Sequence, residues 1–146
     1  MSSATDPFDL RRFVSAQEGV FETALTELQA GRKRTHWMWF IFPQLDGLGH
    51  SHMSRRYSLK NLGEAGAYLA HPLLGPRLLD CCRALLNVEG KTAAQIMGYP
   101  DDLKLRSSMT LFALTAPSQA DFGDVLTKFF GGVHDDRTLQ LLGRQA

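Results

Sequence analysis

The sequence predicts an all-α fold, arranged as one compact domain of about seven short helices. Apolar residues recur at helical spacing along most of the chain, and capping residues precede these stretches while glycine or proline follows them. The alternation of apolar and polar residues that marks a strand is almost absent. A length of 146 residues fits one domain with a single core. We expect residues 1–5 to form a flexible N-terminal tail.

The first helical stretch begins near Asp6, where a capping acid precedes a proline at the first helical position. Apolar residues at helical spacing continue from there to Gly31, and Gly19 is expected to bend or divide the stretch. The second helix follows Asn61, which stands three residues before a glutamate as in a capping box. It should end at His71, because the residue before a proline avoids the helical conformation.

The other five predicted helices are indicated by an apolar stripe, by a cap before the helix, by a helix breaker behind it, or by more than one of these signals. In order, they span about 74–86, a short stretch from the Thr92 cap to Gly98, Asp101 or Asp102 to Pro117, Ser118 to Gly131, and Asp135 or Asp136 to Gly143.

The segment from His36 to Phe42 has no clear period. Six large apolar residues follow the histidine, and Pro43 ends the run. Such a run fits a buried strand and a buried helical turn equally well. A lone strand would lack a partner for its backbone groups, so we favour a helical turn or irregular core chain.

Composition excludes several classes of protein. A hydrophobic fraction of 44% and a charged fraction of 21% are ordinary for a globular domain, and no apolar run approaches the roughly 18 residues of a membrane span. The N-terminus has no signal-peptide pattern, so a cytoplasmic location is expected. A net charge of +1 gives no general reason to expect nucleic acid. Of the adjacent Cys81 and Cys82, one is expected to face the core as a small apolar residue, and a redox or metal role is not expected.

Three basic residues, Arg32 to Arg34, run almost directly into two tryptophans. In a functional interpretation, Lys33 and Arg34 hold a phosphate or carboxylate, Trp37 and Trp39 stack on a planar group, and Gln44 supplies a hydrogen bond. Two alternatives remain open. The basic residues fit the solvated end of a helix with the tryptophans in the core, and arginines among aromatic residues also fit single-stranded nucleic-acid binding.

A second polar stretch covers residues 101–108. If it is helical, Lys104 and Ser108 lie four residues apart on one face, close to free backbone N–H groups, which suits an anion. Asp102 would be the carboxylate nearest to this polar cluster. The alternative is a capped surface turn in which Lys104 pairs with Asp101.

Histidines offer a candidate for proton transfer and a weak metal pattern. His36 has apolar neighbours, so burial would keep its imidazole neutral, although a satisfied core histidine is the alternative. The pair His50 and His52 has spacing seen in metal sites, but no further ligand follows at the usual interval. We therefore expect neither a metal nor a cofactor.

The run from Gly31 to Gln44 resembles the hallmark of the bacterial and fungal family known as domain of unknown function 1810. Further matching stretches are Arg12–Gln17, Tyr68–Pro72, Asp102–Phe112, Phe129–Gly132 and Asp136–Leu142. The resemblance covers nearly the whole chain and implies a cytosolic domain without agreed catalytic residues. A weaker similarity is to the α-helical NADAR N-glycosidases, which act on ADP-ribose-like compounds, although their Ser-Glu-His-Tyr type signature is absent around Ser54 to Tyr57.

The leading hypothesis is a protein with a pocket for a small anionic ligand that is nucleotide-like or ADP-ribose-like. In an enzymatic version it would be an N-glycosidase-like hydrolase, with Asp102 or His36 transferring the proton. The expected ligand-binding residues are Lys33, Arg34, Trp37, Trp39, Gln44, Lys104 and Ser108. The alternatives are a non-enzymatic interaction domain that docks a partner through Phe129, Phe130 or a tryptophan, and a domain that binds single-stranded nucleic acid.

Overall fold

The computed structural model describes residues 6–145, and this part of the chain forms ten α-helices. They are α1 (Arg11–Gln17), α2 (Phe21–Gln29), α3 (Met38–Ile41), α4 (His52–Arg56), α5 (Leu62–Ala70), α6 (Leu74–Leu86), α7 (Ala93–Met97), α8 (Asp101–Thr115), α9 (Ala120–Phe130) and α10 (Asp136–Gln145). No strand occurs among these residues, only one isolated parallel bridge between Leu45 and Leu59. The all-α class is therefore confirmed. The predicted tail at residues 1–5 lies outside the described residues.

The seven predicted helices become ten for two reasons. Gly19, with φ of 70°, separates α1 from α2, as its position in the sequence predicted. The other two additions are α3, which lies in the segment whose conformation was left open and so was not counted among the seven, and α4, which was not counted because a single turn is too short to show a period. Within the described range, no helix is long and apolar enough to cross a membrane.

The start of α1 corrects the prediction around Asp6. The Asp6 carboxylate does cap, since it accepts hydrogen bonds from the backbone N–H of Leu10 at 2.9 Å and Arg11 at 3.0 Å. The helix nevertheless begins at Arg11 and not at the proline. Asp9 adopts a left-handed φ of 51°, which interrupts helical geometry between the cap and the helix.

Other caps behave as their spacing predicted. Thr92 and Gln95 form a full capping box at α7, and the Asp135 carboxylate caps α10 through the N–H of Thr138 at 2.9 Å. At α5, Asn61 accepts from the N–H of Glu64 at 2.9 Å. The Glu64 carboxylate does not return the bond and turns to the N–H of Lys60, at 3.0 Å. Half of that predicted capping box is present.

Helix α8 forms the centre of the core, and α5, α7, α9 and α10 pack around it. Its apolar residues are buried on several sides, and so are three of its hydroxyl residues, Ser107, Ser108 and Thr110. Ser107 and Thr110 donate to the carbonyls four residues earlier, which satisfies their hydroxyl groups within the helix.

The segment from His36 to Phe42 is a single helical turn, Met38–Ile41, with irregular chain on both sides. This agrees with the favoured interpretation, and the buried-strand alternative is wrong. Met38, Ile41 and Phe42 are buried in the core. His36 is exposed, so the expectation that its imidazole is buried is wrong.

Candidate functional site

Glu27 organises the basic and aromatic segment. Its buried carboxylate accepts hydrogen bonds from the backbone N–H of Arg34 at 2.8 Å and of Thr35 at 3.1 Å, from the Thr35 hydroxyl at 2.7 Å, and from Trp37 Nε1 at 2.9 Å. Burial by itself raises the pKa of Glu27, but these hydrogen bonds, led by the one from Arg34, lower it to about 2. Trp37, only 1% exposed, is thus a core residue with a satisfied indole N–H.

Lys33 and Lys104 meet at one carboxylate. Lys33 Nζ lies 3.0 Å from Asp101 Oδ2, and Lys104 Nζ lies 3.3 Å from Asp101 Oδ1. The two ammonium groups also lie over indole rings, Lys33 at 4.9 Å from the Trp37 centroid and Lys104 at 4.7 Å from that of Trp39. We call these five residues the Lys33–Asp101 junction. It joins the two distant polar stretches, but its cations already have a carboxylate partner.

Three other predicted residues take no part in the junction. Arg34 and His36 are exposed, and Arg34 is held through its backbone by Glu27. Gln44 is half-buried, and its backbone carbonyl accepts from the N–H of Leu59 at 2.9 Å beside the isolated bridge. These residues lie on the loops before and after α3.

Trp39 Nε1, Ser108 Oγ and Asp102 Oδ1 are buried polar atoms that have no hydrogen-bond partner among the described residues. Ser108 lies on the face of Lys104, which contacts Trp39, because four residues separate the two positions on α8. By the same spacing Asp102 shares a face with Arg106, whose guanidinium is 4.0 Å from Asp135 at α10. Asp102 and Ser108 are six residues apart, which places them about 120° apart around the axis of α8.

A cleft of about 570 Å³ opens elsewhere, between the loop before α1, helix α4 and the start of α5. Most of its lining is charged or polar, with four cationic residues and two carboxylates. The lining residues are Pro7, Phe8, Asp9, Arg12, His52, Arg55, Arg56, Ser58, Lys60 and Glu64. We call it the basic cleft. None of the nine predicted site residues lines it.

Arg12 holds the walls of the basic cleft together. Its Nη1 donates to the carbonyls of Phe8 at 2.6 Å and Asp9 at 2.8 Å, which belong to the loop before α1. Its Nε and Nη2 donate to the carbonyls of Arg56 at 2.8 Å and Ser58 at 2.9 Å, on the opposite wall. A planar guanidinium can serve both walls at once because its donors point in fixed, divergent directions.

The remaining cations of the basic cleft lie at the end of α4 and just beyond it. Arg55, Arg56 and Lys60 are all exposed, as is His52 at the first position of α4. Within residues 6–145, the Arg55 guanidinium has no hydrogen bond or ion pair. That of Arg56 contacts only the neighbouring Tyr57, with 3.4 Å between Nε and the phenol oxygen. The two guanidinium groups remain available to an anion from solvent.

A second cleft, of about 380 Å³, lies between α2 and α6. Its charged lining residues are one aspartate and one arginine, Asp80 and Arg83, so it has no excess of either charge. Arg83 is already paired with Asp121, at 2.9 Å. This cleft offers a ligand no comparable electrostatic attraction.

Cysteine and metal chemistry find no support in the described residues. Cys81 and Cys82 are both buried and unpaired, and burial raises the pKa of the Cys81 thiol to about 12, which disfavours the reactive thiolate. Over the same part of the chain, no group of three or more His, Cys, Asp or Glu residues is arranged to hold a metal ion.

Sequence reasoning missed the residues of the basic cleft. In the sequence, Arg55 and Arg56 stand only within the stretch from Ser54 to Tyr57 that was compared with the NADAR family, and Arg12 only within a matching motif. The acceptors of Arg12 on the far wall lie 44 and 46 residues away, so no local spacing predicts the contact. The adjacent arginines were the one available signal.

The family described as "Protein of unknown function (DUF1810)" matches residues 7–142. The chain belongs to this family. It is also similar to the conserved hypothetical protein Rv1873 from Mycobacterium tuberculosis, known from a crystal structure at 1.38 Å. The identity is 54%, the match covers 94% of this chain and 98% of that chain, and the TM-score is 0.92. No curated protein matches.

Family membership confirms the resemblance that the run from Gly31 to Gln44 suggested. In this chain the Glu27 contacts show what part of that run does, since they fix the backbone at Arg34 and Thr35 and satisfy the indole of Trp37. The similarity to the NADAR family stays a prediction.

Proposed function

We propose that this protein binds a small anionic ligand, of about the size of a nucleotide, in the basic cleft. One observation carries the proposal: four cationic side chains and only two carboxylates line a single concave space. Its volume of about 570 Å³ lies within the range of roughly 300 to 1,000 Å³ that is usual for small-molecule sites.

The electrostatics of the cleft favour an anion. Cations that share a concave surface reinforce each other's field and attract negative ligands. Arg55 and Arg56 present guanidinium groups, whose fork of donors matches a phosphate or carboxylate with two hydrogen bonds. One of the two opposing carboxylates, that of Glu64, lies 3.5 Å from Arg12 and accepts from the Lys60 N–H, so its charge is largely compensated.

The location differs from the one expected from the sequence. In the Lys33–Asp101 junction, an incoming anion would have to displace Asp101 from two ammonium groups. In the basic cleft, the Arg55 guanidinium has no partner within residues 6–145 that a ligand must displace. The proposed ligand is therefore still a small anion, as in the leading hypothesis, but its proposed site is the basic cleft beside α4.

The proposal is tested by titrating the full chain with inorganic phosphate and with ADP, using calorimetry and thermal unfolding. At tenfold the Kd, a ligand adds about 1.4 kcal/mol of stability, which for this size raises Tm by roughly 3 to 5 °C. Arg55→Glu should weaken binding of either probe at least tenfold. Arg137→Glu is the matched control, because Arg137 is exposed on α10 and does not line the cleft.

Two results would overturn the proposal. One is the absence of any heat or Tm change with either probe at concentrations up to about 10 mM, where even weak sites bind. The other is an equal loss of binding in the Arg55→Glu and Arg137→Glu variants, which would reflect net charge alone. A short DNA oligonucleotide that binds more tightly than ADP, with affinity falling steeply as salt is added, would instead support nucleic-acid binding.

A further inference from the structure

We infer that the ligand of the basic cleft is a phosphorylated compound with free hydroxyl groups, such as a sugar phosphate. Its phosphate would lie against Arg55 and Arg56, and its hydroxyls would donate to the carboxylate of Asp9. This inference rests on the proposed function, because it names the ligand class of the same cleft.

Asp9 is held on the cleft wall in an uncommon backbone conformation. Its φ of 51° lies in the left-handed region, and it is the one residue other than glycine with a positive φ in the described part of the chain. Its N–H donates to the carbonyl of Asp6 at 3.1 Å, and its carbonyl accepts from Arg12 Nη1 at 2.8 Å. The backbone is thus fixed from both sides, while the side chain lines the cleft.

The Asp9 side chain is exposed on the cleft wall. Among the described residues it makes no hydrogen bond or ion pair, although the guanidinium of Arg12 is bound to its carbonyl. A carboxylate accepts hydrogen bonds only, so it attracts hydroxyl groups and repels a second phosphate. The cleft therefore has the Arg55 and Arg56 guanidinium groups on the side of α4 and an acceptor, Asp9, on the loop before α1.

An apolar surface lies beside this acceptor. Phe8 is half-buried against the core and lines the cleft together with Pro7. Small-molecule sites typically combine such an apolar wall with a few polar groups that fix orientation. A sugar phosphate offers a charged end, hydroxyl donors and a ring face with exposed C–H groups, which match the three kinds of surface. A polyanion such as pyrophosphate would place its second charge near Asp9.

The experiment compares three probes by calorimetry on the full chain: inorganic phosphate, pyrophosphate and ribose 5-phosphate. We expect ribose 5-phosphate to bind at least fivefold more tightly than either inorganic anion. Asp9→Asn should reduce the affinity for ribose 5-phosphate about fivefold and leave phosphate unchanged or slightly tighter. Asparagine also tolerates the left-handed region, so the backbone should be kept, and Asp9→Gly is a second variant with the same property.

The control is Asp124→Asn, which removes an exposed carboxylate on α9, outside the cleft. If no probe binds, the proposed function fails and this inference fails with it. If phosphate binds but ribose 5-phosphate binds no more tightly, only the inference is overturned. The same holds if Asp9→Asn weakens phosphate and ribose 5-phosphate equally, or if Asp124→Asn has the same effect as Asp9→Asn.

Discussion

Trp37 donates its indole N–H to the carboxylate of Glu27 at 2.9 Å, across ten residues of sequence. The same carboxylate binds two backbone N–H groups of the basic segment, at Arg34 and Thr35. A buried indole needs an acceptor, and a buried carboxylate needs donors, so each residue makes the burial of the other tolerable. These contacts give the basic and aromatic segment around Arg34 to Trp37 a structural role.

Glu27→Gln should destabilise the protein by about 2 kcal/mol at pH 7, because hydrogen bonds to a charged acceptor are lost or weakened. The pKa of Glu27 is lowered from 4.5 to about 2 in the folded state. A lowered pKa contributes stability that is complete above pH 4.5 and disappears as the pH falls towards 2. The difference in unfolding free energy between wild type and variant should therefore shrink in that window, as measured by urea unfolding at several pH values.

Glu22→Gln is the control for this prediction. Glu22 is exposed on the same helix, so its substitution should change stability by less than about 0.5 kcal/mol. A Glu27→Gln effect that stays constant between pH 4.5 and 2.5 would contradict this prediction, because it would mean that the hydrogen bonds do not lower the pKa of the Glu27 carboxylate.

Arg12→Lys should cost about 2 to 3 kcal/mol and also weaken anion binding. The lysine keeps the positive charge, but one ammonium cannot reach the carbonyls of both cleft walls at Phe8 and Ser58. Denaturant unfolding gives the stability, and calorimetry with phosphate gives the binding. Arg11→Lys, at an exposed neighbouring position, should change neither; unaltered phosphate affinity in folded Arg12→Lys would contradict the role of Arg12 in shaping the cleft.

The helical fold could be predicted because its signals are local. Thr92 and Gln95 are three residues apart and cap α7 together, and Gly131 ends α9 with a left-handed φ of 62°. Such contacts depend on chain geometry within one turn, so residue type and spacing are enough to predict them. The start of α1 was misplaced because the left-handed Asp9 has no strong sequence signal.

The candidate site could not be predicted in the same way. Basic and aromatic residues in sequence indicate either a ligand surface or a core with paired charges, and the choice depends on distant partners. Lys33 is neutralised by Asp101, 68 residues later, and Arg12 is fixed by carbonyls more than 40 residues away. Only tertiary packing decides which cations are paired and which, like Arg55, are left at the surface.

Gly75→Ala should strongly destabilise the packing of α6 against the end of α5. A Cβ at this position would lie 2.1 Å from the carbonyl oxygen of Leu69, which is backbone and cannot rotate away. We expect a loss of roughly 3 kcal/mol or more, as for severe overpacking. Gly123→Ala is the matched control within α9, where a Cβ meets nothing within 4 Å, and it should stabilise by about 0.5 to 1 kcal/mol. Equal Tm values for the two variants would contradict this packing.

Lys33→Met separates the two possible locations of the ligand site. Lys33 Nζ is 3.0 Å from Asp101, and its side chain is only 6% exposed, so removing the ammonium leaves a carboxylate with one cation fewer in a poorly solvated place. The expected cost is about 2 kcal/mol, and it should be smaller in the double variant Lys33→Met, Asp101→Asn. Binding of ADP to the folded variant should change by less than twofold, because Lys33 does not line the basic cleft.

If Lys33→Met abolishes ADP binding while Arg55→Glu leaves it intact, the ligand occupies the Lys33–Asp101 junction and not the basic cleft. The anion would then have to compete with Asp101 for both ammonium groups, and Asp101→Asn should increase its affinity.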